Sequence, residues 1–476
     1  MQITTEIKQK IDAWFDEGRI SALLADLADL IAIRSVNDAP LVGAPYGANS
    51  RAALDLSRET LRKLGVETTV FEDMIAVGVT PSVDGGEELA ILVHVDVVDA
   101  NPTEWQSDPF TMDIRDGIVY GRGATDNKGP AIASFYAIAA AIEIAQTLQK
   151  GVKIIVGSAE EIGCVDVKHW LKTNTPTRYS FAPDACYPLG NVEKGRYVQH
   201  FSQMWKPTDA TPRVTSIRGG STTNIVPGDA VARLVGISSA ELTPFTTRLK
   251  NRTGVVFTAT ETPDGVELLA TGVAAHASTP EDGNNAQTAL LALLPMLPLA
   301  DCDSTRAVRR LAATFPHGGY NGSTLGVAMR DETSGKLTLS FNVLDLNETG
   351  FTASFDSRTP IVADNFPLVD TVSRVLTDVG FTLGAHVLTP SHFVSTDSEF
   401  VQTLLGIYRD FTGDTVSEPL VMAGMTYVHG IPGGVSFGTH MPNENCRIHG
   451  RDEFITLDSL ISSAKMFTAA ILRVCG

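Results

Sequence analysis

The sequence predicts an α/β fold: a main domain whose mostly parallel sheet is flanked by helices, with an inserted α+β domain. In the N-terminal part, short apolar runs rich in β-branched residues alternate with helical patterns, which is typical of parallel sheets. After Glu193 the sequence becomes β-rich. A segment dense in glycine, histidine and acidic residues, 424–454, then follows near the C-terminus. We therefore expect the main domain over 1–193 and 388–476 and the inserted domain over 194–387.

Periodicity predicts the individual elements of the main domain. Apolar residues at helical spacing predict two helices within 7–30, separated at Gly18, and a third over 48–64 that ends at Gly65. The remaining elements have a strand-like apolar run or a helical pattern. They are strands over 66–71, 75–79, 89–94, 152–156 and 179–182, and helices over 128–148, 166–171 and 457–474. We expect the last helix to pack back on this sheet.

The inserted domain shows both kinds of pattern without a clear repeat. The predicted strands cover 255–260, 266–270, 337–343 and 352–356, and the predicted helices cover 285–294 and 368–379. No low-complexity linker marks either crossing between the two domains. The chain therefore reads as one domain placed inside another.

Composition excludes several classes of partner. The 476 residues contain 37 Lys and Arg against 55 Asp and Glu, a net charge of −18, which argues against binding to nucleic acid or an anionic membrane. No apolar run reaches the ~18 uncharged residues of a membrane span, and the N-terminus lacks a signal-peptide core. The five scattered cysteines fit a reducing compartment. We expect a cytoplasmic protein.

Polar residues that ligate metals follow the predicted strands or lie at loop edges. They are His94, Asp126, Glu160, Glu161, Asp184 and His449. Taken singly, each has an ordinary alternative, such as a structural histidine, a solvated loop or an Asx-turn. Together, two imidazoles and three carboxylates suit Zn²⁺, with Mn²⁺ or Co²⁺ possible. Adjacent glutamates in extended backbone point in opposite directions, so one can bind metal while the other acts as a base.

Six motifs carry a resemblance to a known family. They are HVDVV at 94–98, GRGATDNKGP at 121–130, SAEEIG at 158–163, APDACYP at 182–188, GVAAHASTPEDGNNA at 272–286 and RIHGRDEF at 447–454. In this order they resemble the zinc-dependent aminoacylase/carboxypeptidase family of metallopeptidases, and most closely its peptidase V and carnosinase-like dipeptidases. The resemblance spans nearly the whole chain. It implies a catalytic main domain and a lid formed by the inserted domain.

The resemblance also implies roles for the ligating residues. Asp126 would bridge two zinc ions, with His94 and Asp184 on one ion and Glu161 and His449 on the other. Asp96, whose side chain shares a strand face with His94, would orient that histidine through its far ring nitrogen. The peptide bond after Asp126 would be cis.

The implied reaction is hydrolysis of a small peptide by hydroxide formed at the zinc pair, with Glu160 as general base. His276 would stabilise the oxyanion, although a loop histidine is the ordinary alternative. Asn224, Arg358 and the backbone N–H of Gly424 would bind the substrate carboxylate. A surface salt bridge is the ordinary alternative for Arg358.

Two positions depart from the family pattern. Asn127 stands where an acid is common, and Asp452 stands where asparagine is common. Neither is an expected ligand, so these departures bear on metal preference and substrate identity.

Three functions remain open from the sequence. The leading hypothesis is a metallodipeptidase, either of broad specificity or acting on Xaa-His or β-alanyl dipeptides. The second is an N-acyl amino-acid deacylase or desuccinylase of the same family, which activity on N-acyl amino acids against dipeptides would distinguish. The third is a non-catalytic binding protein, which would be expected to lack Glu160 or a ligand. Because the inserted segment is large enough to cover its own site, we expect a monomer.

Overall fold

The computed structural model describes residues 3–476 and contains two compact units. The first unit comprises Met1–Val192 and Phe393–Gly476, and the second comprises Glu193–His392. Each unit combines a β-sheet with helices, so the predicted α/β class is confirmed.

The sheet of the first unit has nine strands and is parallel at its centre. The four central strands, in spatial order, are Gly151–Gly157, Glu87–His94, Tyr179–Ala182 and Gly434–Ser436. The flanking strands are Thr68–Phe71, Ile75–Val79, Gly190–Glu193, His392–Phe393 and Leu420–Met422. On one side of the centre they form an antiparallel hairpin, so the parallel arrangement is limited to the middle of the sheet. The carboxyl ends of the central strands meet at one edge, where open α/β sheets bind ligands.

The helices of the first unit cover the sheet. They are Thr5–Trp14, Glu17–Ile31, Ala48–Lys63, Lys128–Ala145, Val165–Trp170, Glu399–Thr412 and Leu457–Cys475. The first break lies at Asp16 and not at Gly18, because the Asp16 carboxylate accepts a hydrogen bond from Arg19 N and caps the second helix. As predicted, the C-terminal helix packs back on the sheet, and it also packs on Lys128–Ala145.

Lys128–Ala145 is the core helix of this unit. Within residues 3–476 it is the one helix long and apolar enough to cross a membrane by length and composition. However, 78% of it is buried inside the protein. Its apolar character is therefore accounted for by packing.

The second unit contains an eight-stranded antiparallel sheet. In spatial order its strands are Val256–Thr262, Gly265–Thr271, Asp229–Val235, Arg213–Gly219, Thr338–Asn347, Gly350–Thr359, Gly195–Met204 and Thr382–Thr389. Its helices are Ser239–Thr253, Ala286–Leu293, Asp303–Thr314 and Leu368–Asp378. The first and third of these helices were not predicted. In Ser239–Thr253 only Leu242 and Leu249 are buried, so its apolar periodicity is weak.

The remaining elements are short. They are the strands Asp113–Arg115, Ile118–Tyr120, Phe454–Thr456, Ala185–Cys186, Thr439–His440, Ile225–Val226, Ala275–His276, Arg330–Asp331 and Gly335–Lys336, and the 3₁₀ turns Pro102–Glu104, Pro280–Asp282, Leu294–Met296, Ser323–Leu325 and Ile361–Asn365.

Candidate metal centre

Two groups of ligand atoms converge in the first unit and share one carboxylate. In the first group, His94 Nε2 lies 3.0 Å from Asp126 Oδ1 and 3.6 Å from Asp184 Oδ2. In the second, His449 Nε2 lies 2.9 Å from Asp126 Oδ2 and 3.1 Å from Glu161 Oε2. The structure thus brings all five residues predicted as ligands into one site, with Asp126 between the two groups.

The fold accounts for the position of each ligand. His94 is the last residue of a central strand, and Asp184 lies two residues after the neighbouring one. Asp126 lies two residues before the buried helix, and the Asp126–Asn127 peptide is cis, as the resemblance implied. His449 comes from a loop with a left-handed backbone, φ +61°. Strand ends therefore hold one side of the site, and a loop supplies the other.

The residues present suit a pair of divalent cations. Each group combines an imidazole with two carboxylates, a donor set that suits Zn²⁺, Mn²⁺ or Co²⁺. Among the described residues, the buried atoms His94 Nε2 and Glu161 Oε1 have no hydrogen-bond partner of suitable geometry. Buried polar atoms are normally satisfied, so these two fit direct ligation.

The two histidines share a strongly acidic surrounding. Burial opposes the charged form of His94, but the carboxylates of Asp126, Asp184 and Asp96 outweigh it and raise the pKa well above its usual value. The same balance, with Asp126 and Glu161 as partners, raises the pKa of His449 to about 11. The His449 side chain is 52% exposed, so solvent screens its ion pairs more than those of His94.

Burial also raises the pKa of three carboxyl groups in this site. Burial, followed by the nearby Asp126 charge, raises the pKa of Glu161 to about 7 and also raises that of Asp184. Burial is likewise the main cause of the raised pKa of Glu160. The site concentrates more negative charge than the protein alone compensates, which favours cation binding.

Asp96 approaches the far ring nitrogen of His94 with both its backbone and its side chain. His94 Nδ1 lies 3.0 Å from the main-chain oxygen of Asp96, so the backbone carbonyl accepts the ring proton and leaves Nε2 for a ligand. The Asp96 carboxylate lies farther away, at 3.4 Å, and also accepts hydrogen bonds from the backbone N–H groups of Glu160 and Glu161, both at 3.1 Å. Its side chain therefore fixes the loop that carries both glutamates.

Asn127 connects two of the candidate ligands. Its Oδ1 accepts from His94 N at 3.3 Å, and its Nδ2 donates to Asp184 Oδ1 at 3.2 Å. An acid at this position could not make the second contact without a proton. Asp452, the other departure, accepts a hydrogen bond from Gln106 N at 2.8 Å.

Three further buried residues near the site were missed by the sequence analysis: Arg122, Lys128 and Glu453. Lys128 Nζ donates to the carbonyls of Leu30 and Ile33, and burial lowers its pKa to about 7. The sequence offers one signal for Arg122 and Glu453. The two residues carry opposite charges, and they lie in two motifs, GRGATDNKGP and RIHGRDEF, that were both expected at the site.

In the second unit, the structure places His276 beside Asn224. The short strands Ile225–Val226 and Ala275–His276 pair, and Ala277 N donates to Asn224 O at 2.9 Å. Ser278 N donates to His276 Nδ1 at 3.3 Å, and the Ser278 hydroxyl lies 2.6 Å from the same nitrogen.

Arg358 is a buried residue, so the alternative of a surface salt bridge is wrong. Its Nε donates to Asp356 Oδ1 at 2.9 Å, and Arg196 Nε donates to Asp356 Oδ2 at 2.6 Å. The Asp356 carboxylate therefore lies between two guanidinium groups. Gly424 lies in the first unit, on exposed backbone after the strand Leu420–Met422.

Comparison with known proteins identifies a family and a relative that match most of the chain. Residues 90–473 match the family described as Peptidase family M20/M25/M40. "Putative dipeptidase YtjP" of Bacillus subtilis (strain 168) is 31% identical over 458 residues, covering 95% of this chain and 97% of the relative.

Two solved structures share the fold. The M20 family metallo-carboxypeptidase Sso-CP2 from Sulfolobus solfataricus has a TM-score of 0.57 at 18% identity, covering 97% of this chain and 99% of the other. Human carnosine dipeptidase 1 has a TM-score of 0.54 at 14% identity, covering 98% of each chain.

Proposed function

Because the chain belongs to Peptidase family M20/M25/M40, and is therefore a hydrolase of the peptidase class, we propose that it is a dinuclear metallodipeptidase. The observation that carries the proposal is the pair of ligand groups that share Asp126, with Glu160 directly beside the ligand Glu161. The relative with 31% identity, which is matched along almost its whole length, has dipeptidase in its name.

The metal pair would be held by the two groups already described. His94, Asp126 and Asp184 would hold one ion, and Asp126, Glu161 and His449 would hold the other. We propose Zn²⁺, with Mn²⁺ or Co²⁺ as alternatives that the same donors accept. When bound, the ions would acidify a water molecule and polarise the peptide carbonyl.

Glu160 would move the proton in this reaction. Its carboxylate would take a proton from the attacking water and return it to the leaving amine, and burial, which raises its pKa, makes it a stronger base than an exposed glutamate. The Cys164 thiol donates to Glu160 Oε1 at 3.2 Å, which leaves Oε2 as the atom that exchanges the proton. Asp96 would hold the loop in place through the amide of Glu160.

The second unit would supply groups that bind the substrate. The Nε2–H of His276 would donate to the oxyanion that develops on the carbonyl oxygen. Asn224 and Arg358, with the backbone N–H of Gly424 from the first unit, would bind the C-terminal carboxylate of the dipeptide.

The substrate class separates the proposal from its alternative. A dipeptidase of broad, Xaa-His or β-alanyl specificity would cleave Ala- or Leu-dipeptides or carnosine-like peptides. An N-acyl amino-acid deacylase or desuccinylase would instead prefer N-acetyl or N-succinyl amino acids. Turnover of both substrate classes by the zinc-loaded protein distinguishes the two, and faster turnover of the N-acyl substrates would reject the dipeptidase.

Glu160→Gln tests the catalytic assignment. We expect the variant to bind two metal ions while turnover falls by about 10²–10⁴-fold, the usual contribution of a general base. Glu143→Gln is the matched control, since Glu143 contacts Trp14 and Arg19 on the outside of the same unit. Unchanged turnover in Glu160→Gln would remove Glu160 from this role.

We also propose that the protein is a monomer and that Glu193–His392 serves as the lid of its own chain. Sedimentation should then give a single species of monomer mass. Mixing Glu160→Gln with His276→Ala should restore no activity, because each chain would need its own glutamate and histidine. Restored activity in the mixture would show that the histidine comes from a second copy.

A further inference from the structure

Arg122 and Glu453 form an ion pair inside the first unit. Arg122 Nη1 lies 2.5 Å from Glu453 Oε2, and the two side chains are 2% and 0% exposed. A buried ion pair loses its hydration, and it is favourable only when the remaining polar atoms of both groups find partners. The other contacts of the two side chains therefore indicate what this pair holds.

The Glu453 carboxylate binds the turn that leads to Asp126. Its Oε1 accepts from Thr125 N and Asp126 N, both at 3.0 Å, and its Oε2 also accepts from Gly123 N at 3.2 Å. Three backbone hydrogen bonds to one carboxylate fix the turn from which the proposed shared ligand Asp126 projects.

The Arg122 guanidinium reaches two other segments of the site. Its Nη2 donates to Gly450 O at 3.1 Å, next to His449, and contacts Asp99 O at 3.4 Å, beyond the strand that ends at His94. Glu453 itself lies on the loop that carries His449. One ion pair thus joins the segments of three proposed ligands.

The two ligand groups depend on this pair to different degrees. His94 and Asp184 are positioned by neighbouring parallel strands, which hold them without help from the loop. His449 lies on a loop between short strands, with a left-handed backbone, and has no such support from the central sheet. Loss of the ion pair should therefore loosen the group that contains His449 first.

We propose that Arg122 and Glu453 are positioning residues that set the distance between Asp126 and His449, and so control the binding of the second metal ion. The inference rests on the proposed dinuclear function. Neither residue contacts the proposed ligand atoms directly. Their effect passes through the backbone of the Asp126 turn and the His449 loop.

Glu453→Gln tests the proposal in the full-length protein. The amide keeps the shape of the side chain and replaces one acceptor oxygen by an NH₂ group, which cannot accept from Arg122 or Gly123. The chelated wild type and variant are titrated with Co²⁺ alone, and the two binding steps are followed by calorimetry and visible absorption. We expect the second step to weaken by about 10–100-fold, as when a residue behind a ligand is changed. The first step should weaken much less, because His94 and Asp184 keep the support of the central strands.

Glu444→Gln is the matched control. Glu444 lies on the same loop and accepts from Met441 N, Thr456 Oγ1 and Ser459 Oγ, away from the ligands. We expect it to leave both Co²⁺ steps unchanged. If Glu453→Gln does not fold because Arg122 is left unpaired, the double variant Arg122→Gln/Glu453→Gln removes both charges, and the same loss of the second step is expected.

The outcomes distinguish this inference from the function on which it rests. Two unchanged Co²⁺ steps in the folded variant, or an equal weakening of both, would overturn the positioning role and leave the dinuclear function intact. Fewer than two steps in the wild type would overturn the dinuclear function, and this inference with it.

Discussion

Metal loading of the chelated protein should release two protons near neutral pH. Burial opposes the charged forms of His94 and His449, but the carboxylates that face their Nε2 atoms at 2.9–3.1 Å raise the pKa of both. Both histidines are therefore in the charged imidazolium form, with a proton on each ring nitrogen, at neutral pH before metal binds. A metal ligand must be a neutral imidazole, so each histidine loses one proton.

The size of the effect follows from this count. Two protons released imply that the product of the two binding constants rises by about 100-fold for each pH unit. Burial, followed by Asp126, also raises the pKa of Glu161, so its protonated fraction adds to the release and the two histidine protons are the minimum. Binding therefore weakens as the pH falls, because protons compete for the ligands, and strengthens as the pH rises.

Calorimetry measures the proton count directly. Zn²⁺ is titrated into the protein in two buffers with different ionisation enthalpies, and the dependence of the observed heat on buffer gives the protons released. His449→Gln serves as a comparison and should release about one proton fewer. Binding that releases no proton, or an affinity that is constant between about pH 6 and about pH 8, would refute the reasoning.

Three further variants test other parts of the structure. Asp96→Asn should weaken metal binding or turnover by about 10–100-fold, because the amide cannot accept from both glutamate N–H groups; unchanged values in both assays would argue against its role. Gly157→Ala would place a Cβ 2.0 Å from Tyr427 Oη and should lower the free energy of unfolding, measured by denaturant titration, by about 1–3 kcal/mol. Gly406→Ala is the control: it lies in a helix with open space around the added Cβ, so it should be neutral or stabilising in the same titration. Arg358→Lys should raise KM by about tenfold or more for dipeptides but not for their C-terminal amides, since lysine cannot form the bidentate contact; an equal rise for both would place Arg358 elsewhere.

The candidate metal ligands could be predicted because local patterns and a family resemblance agree. His94 and Asp184 follow apolar runs that predict buried strands, which places both at one edge of the sheet. The grouping of these two residues with Asp126, Glu161 and His449 came from the resemblance of the ordered motifs, since each residue taken singly has an ordinary alternative.

Other features depend on packing that one sequence does not reveal. The partner of Arg122 is Glu453, which lies 331 positions away, and no local pattern joins the two. The sequence placed Asp96 beside His94 but did not reveal that the Asp96 carboxylate also holds the backbone N–H groups of Glu160 and Glu161. The helix Ser239–Thr253 was missed because it covers the sheet with few apolar side chains.

The order in which the chain is synthesised matters for an enzyme built in this way. Gly434–Ser436 completes the parallel centre of the first sheet beside Tyr179–Ala182, and Leu457–Cys475 closes over its core. The inserted unit is continuous in sequence and can fold while still on the ribosome, but its host must wait for the helix Leu457–Cys475 to emerge. Chains interrupted between His392 and that helix would carry a complete insert and an incomplete host. Activity should therefore appear only after the helix has been synthesised, and these truncated products should be inert and readily degraded.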